Sequence, residues 1–171
     1  VYGAKDPADL KRQIEEDLIL LNCWLENHFL KMNLKKTKLI FFQGSAHLSS
    51  FVTDNLNISL NGSKIERVES FDYLGLIIDE QLKFSQHIDK VRSRVLSTTF
   101  AIKRIRFYIS PHTALQLYFQ HIHSILTYLL SCWSATSQSK LESLALVQKK
   151  ALKIIYEKDR LYPSKQLFNA K

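Results

Sequence analysis

The stretch Phe71-Asp72-Tyr73-Leu74-Gly75-Leu76-Ile77-Ile78-Asp79 separates two kinds of sequence pattern. It is rich in aromatic and β-branched residues, which predicts a strand. From Ser85 onward, apolar residues recur at helical spacing instead. The sequence therefore predicts an α+β fold, in which residues 1–80 combine a helix with a small antiparallel sheet and residues 81–171 are all helical.

The predicted sheet begins upstream of that strand. Residues 38–42 are a short apolar run typical of a buried strand, and residues 43–55 form a predicted polar loop. Alternating apolar residues over 56–60 then lead to Asn61-Gly62, a pair typical of a two-residue hairpin turn. Residues 65–68 are predicted to form the returning strand.

A surface helix of about twenty residues is predicted before the sheet. Asp6 is placed to cap this helix, and Pro7 to occupy its first position. Trp24 and Trp133 are both expected in the core. The helix has one apolar stripe, which Trp24 widens and which consists of Leu10, Ile14, Leu18, Leu21 and Leu25.

Three helices are predicted after residue 80. The second is capped at Ser110-Pro111 and runs to about Leu130; because residues 108–139 contain no Asp, Glu, Lys or Arg, its neighbours are expected to enclose it. The third is predicted to start at the capping box Ser139-Lys140-Leu141-Glu142. The first has cations around an apolar face, namely Lys90, Arg92, Arg94, Lys103, Arg104 and Arg106.

The net charge of +8 is unevenly distributed. Residues 1–80 contain nine Lys or Arg and twelve Asp or Glu, a net charge of −3. Residues 81–171 contain fifteen Lys or Arg and four Asp or Glu, a net charge of +11. A basic lobe favours a polyanionic partner, although a solvated surface has the same composition.

No catalytic or metal-binding set of residues is evident. Asp72 and Asp79 lie seven positions apart on one predicted strand, which would place them on opposite faces. His121 and His123 lie two positions apart on a helix and would point in different directions. Neither pair is therefore expected to hold a metal.

The cysteines predict a reducing compartment, and the hydropathy predicts no membrane-spanning segment. Cys23 and Cys132 lack the spacing of metal ligands and are expected to be buried thiols. The most apolar stretch, residues 122–133, is too short to span a bilayer, so no membrane partner is expected.

Several segments resemble, in order, the reverse transcriptases of non-LTR (LINE-like, jockey-like) retrotransposons. Residues 21–27 and Met32-Asn33-Leu34-Lys35-Lys36-Thr37 resemble the helix and the turn that follow the active-site hairpin, with Met32 in place of the commoner leucine. Residues 71–79 resemble the Tyr-Leu-Gly turn that supports the primer end. Four further segments resemble the family's helical thumb, namely Phe84, His87-Ile88, Lys103-Arg104-Ile105-Arg106 and Gln148-Lys149-Lys150-Ala151.

The resemblance implies that residues 1–80 are the C-terminal part of the palm and residues 81–171 a thumb. It also implies that the family's paired aspartates and its fingers lie upstream of Asp6-Pro7, since no Asp-Asp pair occurs in the 171 residues. Phosphoryl transfer needs carboxylates that bridge two metal ions. This chain alone is therefore expected to be inactive and to hold no cofactor, with magnesium required only by the complete polymerase.

The resemblance also implies roles for individual residues. Lys36 matches a lysine near the nucleotide phosphates, although an exposed lysine before a strand is equally compatible with the sequence. Tyr73, Leu74 and Gly75 match the primer support, with a core strand bent at a glycine as the alternative. The six cations of the first thumb helix would face template–primer phosphates.

The expected function is binding of a template–primer RNA/DNA duplex within an RNA-directed DNA polymerase. The expected partners are the nucleic acid and the missing fingers and palm half, in a nuclear or cytoplasmic ribonucleoprotein inside the cell. One alternative is a non-enzymatic helical module that docks a protein. Another is a domesticated or decayed retroelement fragment.

Overall fold

The computed structural model describes residues 7–42, 57–159 and 161–163. The Asp6 cap, Leu56 and the predicted loop at 43–55 lie outside these residues. The chain divides into two compact units, Val1–Leu82 and Lys83–Lys171. One described helix and short strands make up the first unit and helices the second, so the α+β class is confirmed.

The first unit contains one described helix and six short strands. These are α1 (Pro7–Asn27), β1 (Lys38–Leu39), β2 (Ser59–Leu60), β3 (Ser63–Lys64), β4 (Glu66–Arg67), β5 (Ser70–Tyr73) and β6 (Leu76–Asp79). The helix begins at Pro7, as the sequence predicts.

A small apolar core joins α1 to the first hairpin. Ile14 on α1 packs with Ile58 and Ile65, and all three are buried. The surrounding contacts come from Leu10, Leu18 and Leu39. Burial of an isoleucine side chain stabilises a fold by about 2 kcal/mol, so this cluster fixes α1 against the strands.

The strands form three two-stranded sheets and not one antiparallel sheet, which corrects the prediction. β2 and β3 form the predicted hairpin, and Asn61 and Gly62 have φ values of 50° and 74°, as a type I′ turn requires. β1 instead pairs with β4 in parallel, through Lys38 opposite Glu66. The predicted buried strand at 38–42 is limited to two partly exposed residues.

The stretch 71–79 is a hairpin and not the single strand that its composition predicts. β5 and β6 pair antiparallel around a turn at Leu74 and Gly75, where φ is 51° and 86°. The family resemblance implies a Tyr-Leu-Gly turn here, whereas composition alone predicts a strand, because leucine rarely adopts positive φ. In the observed register Asp72 lies opposite Ile77, and Asp79 lies two residues further along β6. The two aspartates therefore share one face, which reverses the prediction.

The second unit is built from helices. These are α2 (Ser85–Ile105), a 3₁₀ turn (Arg106–Tyr108), α3 (Pro111–Tyr118), a π-helical turn (Phe119–His123), α4 (Ser124–Thr127), α5 (Leu130–Trp133) and α6 (Gln138–Ile155). α2 packs mainly against α6. The buried apolar face of α2 consists of Ile88, Val91, Val95 and Ile102.

Two helix starts test the predicted caps. Ser110 caps α3 as predicted, because its Oγ accepts a hydrogen bond from the Thr113 N–H at 3.1 Å. The capping box at 139–142 is wrong: α6 begins at Gln138, and Ser137 is its N-terminal flanking residue.

The uncharged stretch 108–139 is less regular and less enclosed than predicted. Its helix ends at Thr127 and not near Leu130. The helix stops because Leu129, just before α5, adopts a left-handed conformation with φ 50°. Phe119 and Tyr128 are half exposed. Absence of charge therefore did not mean burial in this segment.

The tryptophans and the cysteines divide between core and surface. Trp133 is buried and its Nε1–H donates to the Tyr128 carbonyl at 2.9 Å, which confirms a core position. Trp24 is 53% exposed, so the same prediction is wrong for α1. Cys23 and Cys132 are both exposed, contrary to the expected burial.

Candidate nucleic-acid interface

α2 carries five exposed Lys and Arg side chains. Lys90, Arg92, Arg94, Lys103 and Arg104 are all exposed, whereas the buried residues of α2, such as Ile88 and Val95, point into the unit. With 3.6 residues per turn, Lys90, Arg94 and Arg104 fall within about 80° of one another and span about 21 Å of helix. Arg92 and Lys103 lie about 100–180° away from those three, beside the opposite border of the buried stripe, so the five cations surround the exposed side of α2. We call these five residues the cationic face.

Most of the cationic face is not neutralised locally. Within the described part of the chain, Arg92, Arg94, Lys103 and Arg104 belong to no ion pair. The helix of the first unit behaves differently, because its Arg12 lies near both Asp9 and Glu16. Positive charge on α2 is therefore left for an external anion.

Arg106 does not belong to the cationic face, which corrects the prediction for this residue. It is only 7% exposed. Its Nε donates to the Ile155 carbonyl at 2.9 Å, another guanidinium nitrogen donates to the Ile109 carbonyl at 3.2 Å, and the third lies 2.9 Å from a carboxylate oxygen of Glu157. Arg106 therefore holds the end of α2 to the end of α6. Its spacing of four residues from buried Ile102 could have indicated this position.

One further cation approaches α2 from α6. The Lys150 ammonium lies 5.0 Å from the centre of the Phe100 ring, which is half exposed. Phe100 precedes Lys103 and Arg104 by three and four positions, so these side chains share one side of α2. Lys150 was recognised in the sequence only as part of a thumb-like segment, because residue spacing along one helix cannot show a neighbour on another.

The Tyr-Leu-Gly segment forms the tip of the β5–β6 hairpin. Tyr73, Leu74 and Gly75 are all exposed, and Leu74 is 71% exposed. A leucine that is held at positive φ and left in solvent is unfavourable on both counts. Of the two readings of the sequence, an exposed tip is observed and a core strand is not.

Lys36 is exposed and lies at the end of a turn that Asn33 organises. The Asn33 side-chain oxygen accepts a hydrogen bond from the Lys36 N–H at 3.2 Å. The Asn33 carbonyl accepts from the Lys36 and Thr37 N–H groups and from the Thr37 hydroxyl, each at 3.0 Å. The Asn-x-x-Lys-Thr spacing is thus the spacing of one turn that fixes the Lys36 backbone and leaves its ammonium in solvent.

The acidic and histidine side chains do not form a metal site in the described residues, where no group of three or more such ligands occurs. Asp72 and Asp79 share a face, but the Asp79 carboxylate accepts a hydrogen bond from the Gln81 N–H at 3.1 Å. The part of the chain that the structure describes therefore offers no ligand group for the two-metal chemistry of phosphoryl transfer. Among the described helices, none is both long and apolar enough to cross a membrane.

Tyr118 is a buried polar residue behind this surface. Burial raises the pKa of its hydroxyl, a hydrogen bond from Gln148 lowers it, and the nearby Tyr156 raises it further. The Gln148 amide nitrogen donates to the Tyr118 oxygen at 2.8 Å. This contact joins α3 to α6, the helix against which α2 packs.

Comparison with curated proteins finds a polymerase. The chain is similar to the RNA-directed DNA polymerase from mobile element jockey of Drosophila melanogaster, with 25% identity over 148 residues. The chain has a reverse-transcriptase-like origin. The match covers 83% of this chain and 15% of the jockey protein, so the chain spans only a small part of that polymerase. No family model and no solved structure matches the sequence.

Proposed function

We propose that this chain binds the sugar–phosphate backbone of a template–primer duplex as the C-terminal palm and thumb portion of a non-LTR retrotransposon reverse transcriptase. The observation that carries the proposal is the cationic face of α2, where four of the five residues have no neutralising partner among the described residues. The similarity to the jockey polymerase supports nucleic acid as the polyanion. The missing fingers and palm half would be the protein partner.

The physical basis is release of counterions from the nucleic acid. Each neutralised phosphate contributes about −0.9 to the slope of log affinity against log salt concentration. The five residues of the cationic face would give a slope of about −4.5 if each met one phosphate. Contacts of this kind position a duplex without reading its sequence, so little sequence preference is expected.

The chain supplies positioning and the upstream half supplies the chemistry. In this proposal, Lys36 approaches the nucleotide phosphates and the Tyr73–Gly75 tip supports the primer end. The metal-binding aspartates, and the magnesium that they hold, belong to the part of the polymerase upstream of this chain. The site would operate in an intracellular ribonucleoprotein, nuclear or cytoplasmic.

Charge reversal tests the proposal directly. We expect Arg92→Glu, Arg94→Glu and Arg104→Glu together to weaken binding of an RNA–DNA duplex by about a hundredfold or more, because each change replaces attraction by repulsion. The measurement is fluorescence anisotropy of a labelled duplex over a series of salt concentrations, with circular dichroism as a check on folding.

A matched variant separates local contact from overall charge. Lys11→Glu, Arg12→Glu and Lys64→Glu change the net charge by the same amount, but these residues lie in the first unit, and two of them already face carboxylates. Their reversal is expected to weaken duplex binding far less. Equal losses in the two triple variants would refute a defined interface on α2.

A second function, docking of a protein, is favoured by one observation. α1 and the residues after it expose several large apolar side chains, namely Ile19, Leu20, Leu21, Trp24, Phe29 and Leu30. Exposed apolar groups on a small unit are typical of interaction surfaces. Binding that is insensitive to salt and requires Leu20 and Trp24 would favour this function over duplex binding.

A further inference from the structure

Two adjacent aromatic side chains are almost fully exposed at the end of α2. Phe107 is 86% exposed and Tyr108 is 88% exposed, and both lie on the 3₁₀ turn that follows the helix. A phenylalanine side chain left in water forgoes the stabilisation that burial would provide. Two such residues side by side therefore need an explanation other than stability.

This turn is held firmly by its neighbours. Arg106, the first residue of the turn, makes its three contacts to the Ile155 carbonyl, the Ile109 carbonyl and the Glu157 carboxylate. On the far side, Ser110 caps α3. Phe107 and Tyr108 therefore lie on a turn that these contacts fix between two helices.

Two exposed cations precede the aromatic pair by three to five positions. Lys103 and Arg104 lie in the last turn of α2, and both belong to the cationic face. Cations and aromatic rings within a few residues of one another are typical of surfaces that bind single-stranded nucleic acid, where phosphates meet the cations and bases stack on the rings. An apolar protein surface would gain nothing from burying uncompensated cations beside the rings.

We propose that Phe107 and Tyr108 are a stacking platform for an unpaired nucleobase, with Lys103 and Arg104 holding the adjacent phosphates. This inference rests on the proposed function and extends it from duplex binding to capture of a single strand. Stacking on a ring is tolerant of sequence, because every base has an aromatic face. The site would therefore take the single-stranded part of a template, whatever its sequence.

The test uses the complete 171-residue chain and two probes, a labelled oligouridylate and a blunt RNA–DNA duplex. Phe107→Ala with Tyr108→Ala is expected to weaken oligouridylate binding by about tenfold or more, since base–aromatic stacking contributes about 1–3 kcal/mol per base. Duplex affinity and the salt dependence of both probes are expected to stay unchanged, because the cations remain.

Two control variants make the result specific. Phe107→Leu with Tyr108→Leu keeps apolar surface but removes the rings, and it should lose oligouridylate affinity as the alanine variant does. Phe119→Ala with Tyr128→Ala removes two half-exposed aromatic side chains from the uncharged stretch and should retain affinity. In addition, an oligonucleotide that carries 5-iodouracil should crosslink to Phe107 or Tyr108, as identified by mass spectrometry.

The outcomes separate this inference from the proposed function. If the chain binds the duplex but oligouridylate binding is the same in the alanine variant, the stacking platform is refuted and duplex binding stands. Retained affinity in the leucine variant would also refute it, since apolar contact and not stacking would then suffice. If the unmodified chain binds neither probe, both proposals fail.

Discussion

The helices α1 and α2 are both 21 residues long and both amphipathic, yet they expose opposite kinds of side chain. α1 buries Ile14 but leaves Leu20 and Trp24 exposed one turn apart. α2 buries a longer apolar stripe and exposes cations. The difference shows that equal amphipathicity does not imply equal function: the first surface suits an apolar protein partner and the second suits a polyanion.

The largest difference between the helices is expected in their buried faces. Ile88 is 0% exposed within α2, whereas Ile14 belongs to a small cluster with two other buried residues. We expect Ile88→Ala to lower the free energy of unfolding by about 4 kcal/mol and Ile14→Ala by about 2 kcal/mol, because a fully enclosed site cannot collapse around the lost atoms.

The two tryptophans allow each unit to be followed by itself. Trp24 lies in the first unit and Trp133 in the second, and the sequence contains no others. Urea unfolding monitored by fluorescence, in variants that retain one tryptophan, gives the stability of each unit. A larger loss from Ile14→Ala than from Ile88→Ala would reverse the comparison.

The next prediction compares the buried Arg106, just after α2, with the exposed Arg104 on α2. Arg106→Ala should destabilise the second unit by about 3 kcal/mol, because it leaves two carbonyls and a carboxylate without their donor. Arg104→Ala should change stability by less than about 0.5 kcal/mol, since Arg104 is exposed. Urea unfolding of both variants gives the measurement, and similar losses would show that Arg104 too has a structural role.

The residues whose positions were predicted correctly have strong local conformational preferences. Asn61-Gly62 predicts a type I′ turn because both residues tolerate positive φ, and that turn is present. Ser110-Pro111 predicts a helix start because serine accepts a backbone N–H and proline fits the first position, and α3 begins there. Similarly, the apolar spacing of α2 predicts a face of Ile88, Val91, Val95, Ile102 and Ile105, of which all but Ile105 are buried.

The residues that the sequence placed wrongly depend on what lies next to them in three dimensions. Leu74 turns the chain because β5 and β6 pair on either side, and the composition of residues 71–79 gives no sign of it. Trp24 and Cys132 are exposed because no described element covers them, although each lies in an apolar run. Arg106 is buried, unlike Arg104, because its guanidinium contacts the Ile155 and Ile109 carbonyls and the Glu157 carboxylate.

A smaller effect is expected from exchanging the turn residues of the two hairpins. Leu74→Asn should stabilise the first unit by about 1 kcal/mol, because asparagine tolerates positive φ better than leucine. Asn61→Leu should destabilise it by a similar amount, about 1 kcal/mol. Urea unfolding followed by Trp24 measures both changes.

The same exchange bears on function. If the exposed Tyr73–Gly75 tip contacts a primer, Leu74→Asn should weaken duplex binding while it stabilises the fold, a trade-off typical of functional strain. A variant that is more stable and binds the duplex equally well would show that Leu74 has no part in binding.

The smallest expected effect concerns the exposed apolar side chains of α1. Leu20→Gln with Trp24→Gln should change the stability of the first unit by no more than about 0.5 kcal/mol, because side chains already in solvent contribute little to folding. Because this variant lacks Trp24, its urea unfolding is followed by circular dichroism. The second unit, including Ile88, keeps its sequence. A loss above about 1 kcal/mol would show that Trp24 packs in the core after all. The apolar surface of α1 would then be structural, and the contrast between the two helices would reduce to the cations of α2.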